Sequence, residues 1–363
     1  MKDAHVVEHV DVWPIDIPLC DDFVISRGSI SQVESAFVAV RTRSGITGYG
    51  EIAPFEPLTG EIRDDSVVRA RELGAGLMER DVADHTVIAA ELAAAAPEQP
   101  AARTGLECAV VDCFARSIGK PLHRVWGARA PSIYETDITL PILGEDRIDA
   151  LGDEWYRRGF RVFKLKVGAN ADAEISRVHR MAARYTDVSF ILDANQAFDV
   201  SEAIRFVREL GSVVSRVRLL EQPVPRDDLE GMTTLRETCQ ITIAADEAVF
   251  TLADARRVIE ARAADVINLK IMKSGLHESI EIARLAQRAG VGLMVGGMIE
   301  TRLAMSFSLA IALSLGGVDH FDLDTPLLMA TDPIEGGYEY EGPRMLLGVG
   351  AGVGAAPANL PDR

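Results

Sequence analysis

The sequence predicts an α/β barrel preceded by an α+β module, and three observations predict it. Eight short β-rich runs succeed one another at roughly 25-residue steps from about Tyr134, amphipathic helical text separates them, and the texture before them is different. A chain of 363 residues exceeds the usual single domain, which suits a barrel carrying an added module.

The N-terminal part reads first as strands joined by turns. VVEHVDVWPIDIPL is followed by SAFVAVRTRSGITGYGEIAP, whose Ser44-Gly45 dipeptide lies between two β-rich runs and signals a hairpin. From Asp64 to about Gly119 the text is rich in Ala, Leu, Glu and Arg, with apolar residues at helical spacing, as in GLECAVVDCFARSIG. The later runs are YETDITLP, FRVFKLKVG, VSFILDAN, VRLLEQPV, ITIAADE, DVINLKIM, VGLMVGGM and HFDLD. Eight of them fit a (β/α)8-type barrel better than an open doubly wound sheet, and no GxGxxG or P-loop motif is present. After Asp324 the chain becomes rich in Gly and turns (EGGYEYEGP), a tail rather than another barrel unit.

Composition narrows the function. Apolar residues make up 48% and charged residues 26%, as in ordinary globular proteins. A net charge of −17 argues against a nucleic-acid surface, which needs clustered Lys and Arg, and favours a small-molecule partner. The four cysteines show no CxxC spacing and suggest reduced thiols, with Cys108 and Cys113 on an apolar helix as core residues. No run has the length of a membrane helix, and MKDAHVVEHVDVW lacks the apolar centre of a signal peptide, so the expected location is the cytoplasm.

The chemistry is expected where polar residues interrupt strands that should read as continuous apolar text. Each interruption comes near the C-terminal end of its run: Lys164 and Lys166, Asp193 and Asn195, Glu221, Asp246, Lys270, and Asp322 with Asp324. In a barrel those ends meet around one mouth, the face that carries active sites. Residues i and i+2 of a strand share a face, so the pairs 164/166, 193/195 and 322/324 point together. A lone Asp or Lys at a strand end is usually a cap or a surface charge, but random surface charge has no reason to track successive strand ends. Asp193, Glu221 and Asp246, spaced 28 and 25 residues apart, would repel one another unless a cation neutralised them. Oxygen-only ligands favour magnesium. His320 reads as a structural neighbour of Asp322, whereas His85 and His179 fall in helical text.

These residues resemble the enolase superfamily, in particular its muconate-lactonizing subgroup, through KLK at Lys164 to Lys166, DAN at Asp193, EQP at Glu221, ADE at Asp246 and NLKIMKSG around Lys270. The resemblance implies a (β/α)7β barrel over residues 126–325 and an α+β capping domain over residues 1–125 that the tail, about 326–363, joins. It also implies one Mg2+ per subunit on the three carboxylates, and acid/base work by Lys166 and Lys270 on a carbon next to a carboxylate. HFDLDTPLLMATDP is similar to the dipeptide epimerases, whose DxD pair receives a free ammonium, here Asp322 and Asp324. Two extra carboxylates would repel a dianion and satisfy a zwitterion. Thr139 matches a substrate-contacting Thr, Lys164 is placed near the substrate carboxylate, and Gly297, Met298 and Ile299 lie in the seventh-strand segment GGMIETR.

The expected activity is that of a magnesium-dependent dipeptide epimerase, which inverts the α-carbon of the C-terminal residue through an enediolate, with two lysines as opposed bases. A neutral lysine is required; Lys164 and the metal favour it, the acidic ligands oppose it, and the sequence leaves the balance open. N-acylamino acid racemisation, o-succinylbenzoate synthesis and cycloisomerisation use the same lysines and carboxylates, and the DxD pair disfavours them. A non-catalytic binding protein on this scaffold is the rival from another class. Family members are often oligomers, so a homo-oligomer is compatible with the resemblance. Lys273-Ser274-Gly275-Leu276 departs from the family's KxGG, and the capping loops at Phe23 to Ser29 (with Arg27) and Phe55 to Gly60 are expected to set side-chain preference.

Overall fold

The structure, a computed structural model, describes residues 4–25, 28–128 and 133–360. Strands β1 (Val7–Ile25), β2 (Gly28–Thr42) and β3 (Thr47–Ile52) form an antiparallel sheet. The turn between β2 and β3 contains Gly45 at φ 83°, a left-handed position that glycine adopts without strain. Helices α1 (Glu56–Thr59), α2 (Arg63–Ala75), α3 (His85–Ala95), α4 (Pro100–Ser117) and α5 (Leu122–Val125) come next. Helix α4 is almost wholly buried and lies so close to β3 that a Cβ on Gly50 would fall 2.0 Å from the Gly105 carbonyl oxygen. Glycine at that point is a packing requirement.

The barrel has eight parallel strands in sequential order: β5 (Ile138–Leu140), β6 (Val162–Lys166), β7 (Ser189–Asp193), β8 (Val217–Glu221), β9 (Ile243–Ala245), β10 (Val266–Leu269), β11 (Gly292–Val295) and β12 (His320–Phe321). Helices α6 (Glu145–Arg157), α7 (Ala171–Arg184), α8 (Val200–Glu209), α9 (Leu229–Thr238), α10 (Leu252–Glu260), α11 (Ile271–Ser274) with α12 (Leu276–Ala289), and α13 (Arg302–Leu315) fill the seven crossovers. After β12 comes only a short 3-10 turn, Thr325–Leu328. This is the (β/α)7β barrel that the resemblance implies, one helix short of a full (β/α)8 count, because the eighth run is followed by turn text and no helix. The seam closes where Asp137 N–H donates to Phe321 O at 3.0 Å.

The run YETDITLP also divides in two. Tyr134–Glu135 forms β4, which pairs antiparallel with a strand of the tail, and Ile138–Leu140 alone enters the barrel. The tail contains β13 (Ile334–Gly336), β14 (Tyr338–Glu341), β15 (Arg344–Leu347) and β16 (Ala355–Pro357), with β14 and β15 as the hairpin that takes β4. No described helix is long and apolar enough to cross a membrane.

Period-2 geometry sorts the barrel strands. Outward-facing Phe163, Leu165, Leu192, Leu220 and Ile267 pack with the surrounding helices into the main core. Inward, Ile191, Leu219, Ala244, Val266 and Met294, with Val162 against them, form a separate small apolar cluster. Each stands two residues before Asp193, Glu221, Asp246, Asn268, Gly296 and, for Val162, Lys164. The barrel is thus plugged by an apolar layer directly beneath a polar one, which holds the polar side chains upward toward the mouth.

Two carboxylates from the N-terminal part fasten it to the helices beyond the site. Glu51 accepts from Thr301 N at 3.0 Å, from Thr301 Oγ1 at 2.6 Å and from Ala304 N at 3.2 Å, at the start of α13. Glu107 on α4 accepts from Leu276 N at 3.0 Å and His277 N at 2.7 Å, at the start of α12. Acids at helix N-termini answer orphan N–H groups and the positive end of the helix dipole. The second clasp continues outward, because Glu107 Oε1 lies 2.5 Å from His277 Nδ1, and His277 Nε2 lies 3.0 Å from His85 Nδ1.

Burial and the neighbouring His277 hold the His85 imidazole down at about 4 against an ordinary 6.5. The folded chain therefore resists a proton that the unfolded chain accepts below about pH 6.5. Stability from this clasp is complete above that pH and declines as pH falls toward 4. The urea midpoint of the wild type is expected to drop between pH 7 and pH 5, and His85→Gln to drop less; equal slopes would remove His85 from the effect.

Candidate active site

Strand pairing places the predicted side chains before any contact is considered. Lys166 is in register with Asp193, Asp193 with Glu221, and Glu221 with Ala244, two residues before Asp246. Three carboxylates therefore stand on neighbouring strands, Asp193 and Glu221 in register and Asp246 one inward position further on. Lys166 ends β6 and Lys270 comes directly after β10, four strands away in an eight-stranded ring, so the two ammonium groups face each other across the mouth.

Ammonium groups fill the space between the acids. Lys164 Nζ lies 2.6 Å from Asp322 Oδ2, 2.8 Å from Glu221 Oε2 and 3.1 Å from Asp193 Oδ2. Lys166 Nζ donates to Asp193 Oδ2 at 2.7 Å. Lys270 Nζ donates to Asp246 Oδ2 at 2.7 Å and Lys273 Nζ to Asp246 Oδ1 at 2.6 Å. All of these side chains are buried, with Lys164 at 1%, Lys166 at 7% and Lys270 at 3% exposure.

At this burial, desolvation and charge pairing compete, and the sign differs from residue to residue. Burial opposes ionisation of Asp193, but Lys166 and Lys164 outweigh it and hold it at about 2. Asp246 is held far lower still, since Lys270 and Lys273 overcome its burial. Glu221 goes the other way: burial and Asp193 raise it to about 7 against the pull of Lys164. Burial pushes Lys270 and Lys164 down, yet the surrounding carboxylates win and leave both above the ordinary lysine range. For Lys164 and Lys270 the balance left open by the sequence thus falls to the acids.

A magnesium ion suits this donor set. Lys164 Nζ is close to Glu221 Oε2 but out of line for a hydrogen bond, and that buried oxygen makes none. The three acids offer only oxygen, the ligand that hard divalent cations take.

The pocket above the cluster brings together Thr139, Lys164, Lys166, Lys270, Gly297, Met298, Ile299 and Asp322 from the sequence-predicted set. Asp193, Glu221, Asp246 and Asp324 do not line it; they stand behind the lysines and Thr139, and Thr139 N–H donates to Asp324 Oδ2 at 2.6 Å. Phe23, Ile25, Phe55 and Leu58 from the N-terminal part form the remaining apolar wall, with the Phe23 ring 5.7 Å from Lys166 Nζ. Arg27 lies outside the described residues.

Several residues of the site escaped the sequence reading. Asn268 donates to Glu221 Oε1 at 2.8 Å, and Lys273 also donates to Asp246 O at 2.6 Å. Asp137 joins Asp322 and Asp324 in a buried group whose carboxylate oxygens lie within 4.8 Å of one another. Two of these were visible in principle: Asn268 is two residues before Lys270, and Asp137 two before Thr139, on the same strand face. Lys273 sits on α11, one helical turn past Lys270, where alternation gives no signal.

A parallel barrel with opposed lysines over a carboxylate cluster, roofed by an α+β unit, defines a class of acid/base barrel enzymes. The chain belongs to the mandelate racemase/muconate lactonizing enzyme family: residues 5–127 match its N-terminal domain, and residues 147–359 match the enolase C-terminal domain-like model. It is 36% identical to the L-Ala-D/L-amino acid epimerase of Populus trichocarpa over 343 residues, 93% of this chain and 81% of that one. It is 34% identical to the aromatic dipeptide epimerase of Herpetosiphon aurantiacus, covering 96% of this chain and 98% of the relative. Among solved structures, the dipeptide epimerase from Enterococcus faecalis complexed with Mg and the dipeptide L-Leu-L-Tyr superposes with TM-score 0.92 at 30% identity, covering 97% and 99% of the two chains.

Proposed function

We propose that the chain is a magnesium-dependent dipeptide epimerase that inverts the α-carbon of the substrate's C-terminal residue. The observation that carries the reading is the placement of Lys166 and Lys270 on opposite sides of a pocket that Asp322 borders. Asp193, Glu221 and Asp246 are the residues that would hold the magnesium ion. When bound, it supplies a positive charge that stabilises the enediolate formed at the substrate carboxylate.

The chain's own residues do the rest. Lys164, beside Glu221 and Asp193, positions the substrate carboxylate. One of Lys166 and Lys270 removes the α-proton and the other returns one to the opposite face; the lysine that acts as base must first be neutral. Asp322 and Asp324 hold the N-terminal ammonium, with Thr139 fixing Asp324 in place. Phe23, Phe55 and Leu58 wall the pocket on the side of the N-terminal part. Their apolar faces favour an uncharged side chain at the reacting residue.

An L,L-dipeptide with an apolar C-terminal residue, incubated in deuterium oxide, is expected to gain α-deuterium and its epimer when magnesium is present and to gain neither after chelation. Absence of exchange with every member of a dipeptide library would overturn the reading. N-acylated amino acids as the better substrates would instead favour the racemase chemistry of the same family.

A further inference from the structure

Beside the pocket, three carboxylates meet, and the chemistry above uses two of them. Asp137 leads into β5, and Asp322 and Asp324 lie just past β12 across the barrel seam; one oxygen from each lies within 4.8 Å of the other two. Asp322 Oδ2 accepts from Lys164 Nζ at 2.6 Å, and Asp324 Oδ2 accepts from Thr139 N at 2.6 Å. Asp324 Oδ1 accepts no hydrogen bond, and neither oxygen of Asp137 accepts one, although Asp137 is only 2% exposed. A buried carboxylate with two unanswered oxygens is strongly unfavourable by itself, and two more acids beside it make it worse. The nearby ammonium of Lys164 is already shared among Asp193, Glu221 and Asp322.

The distances say what would answer it. Three oxygens no more than 4.8 Å apart all lie within about 2.8 Å of a common centre, the length of an N–H···O hydrogen bond. A primary ammonium has three N–H donors, one for each carboxylate. We propose that Asp137 is a third binding carboxylate of the subsite for the substrate's N-terminus, and that the subsite thereby selects a primary ammonium over a secondary one. The proposal rests on the dipeptide reading. An N-methylated or N-terminal proline dipeptide carries the same charge with one donor fewer, and one buried carboxylate stays unanswered.

The test compares kcat/KM for an L,L-dipeptide and its N-methyl analogue in the magnesium-loaded enzyme. The wild type is expected to prefer the primary amine by about tenfold to a hundredfold, the size of one charge-assisted hydrogen bond. Asp137→Asn and Asp137→Ala are expected to raise KM for the primary amine by at least about tenfold with a smaller change in kcat, and to shrink the preference to about threefold or less. Asp137→Asn is also expected to melt no lower than the wild type, because neither oxygen of Asp137 accepts a hydrogen bond that the substitution would break; a residue with a purely structural role would lower Tm. Indifference of the wild type to N-methylation overturns the proposal, as does an unchanged preference in both variants. Two magnesium ions per wild-type chain, falling to one in Asp137→Asn, would make the group a metal site instead. A wild type that exchanges α-hydrogen with no dipeptide at all fails at the earlier step and overturns both readings.

Discussion

Replacing Lys166 or Lys270 by alanine is expected to lower epimerisation by about 10^4-fold, the upper range for loss of a general acid or base, because Lys164 beside Lys166 is tied to Asp322, Glu221 and Asp193, and Lys273 past Lys270 is tied to Asp246. Folding is expected to survive. Asp193 loses Lys166 but keeps Lys164 at 3.1 Å, and Asp246 loses Lys270 but keeps Lys273 at 2.6 Å. Neither carboxylate is left buried and alone, so the roughly 3–5 kcal/mol cost of an orphaned charge is not incurred. The informative residue is what each variant still does. A lone lysine can remove and return a proton on its own face, so Lys166→Ala should exchange α-deuterium into one configuration of the C-terminal residue and Lys270→Ala into the other. Nuclear magnetic resonance of each diastereomer in deuterium oxide reads this directly. Two variants that exchange the same isomer would show that the lysines do not face opposite sides.

Much of this site could be read from alternation alone. Each barrel strand is apolar outward and apolar at its inner base, as with Ile191 below Asp193 and Leu219 below Glu221, so a charge at the inner C-terminal end breaks the pattern visibly. The same rule fails where the strand is short or the residue is on another element. β5 is only three residues long and starts after Asp137, so that residue, though two before Thr139, lies outside the regular ladder, whereas Asp322 and Asp324 are legible in HFDLD. Lys273 works from a helix. The apolar wall of Phe23, Ile25, Phe55 and Leu58 comes from the N-terminal part, and its position over the mouth depends on clasps such as Glu51 to Thr301, 250 residues apart. A single sequence holds no pattern for a contact of that range. The missing eighth helix is legible for a local reason: HFDLD resembles the other runs, and the Gly-rich, turn-rich text after it carries no helical pattern.

Two substitutions among the proposed ligands are expected to separate catalysis from stability. Glu221→Gln should cost activity about 10^3-fold, in keeping with loss of a few kcal/mol of charge stabilisation, and should abolish the rise in Tm that magnesium produces in the wild type. Its effect on the metal-free protein should be within about 1 kcal/mol. Glu221 already sits at about 7, so near neutrality the metal-free chain is close to holding a neutral side chain there, and glutamine keeps an acceptor for Asn268. Asp246→Asn should be equally inactive but destabilised by about 3–5 kcal/mol, because Lys270 and Lys273 hold Asp246 well below the ordinary carboxylate range and both donate hydrogen bonds to it. Thermal melts with and without magnesium, alongside turnover, distinguish the two. A Glu221→Gln variant that kept the wild-type magnesium shift would remove Glu221 from the ligand set. An Asp246→Asn variant as stable as Glu221→Gln would mean that the two lysines find other partners, and that the ammonium groups hold this cluster together less tightly than their distances imply.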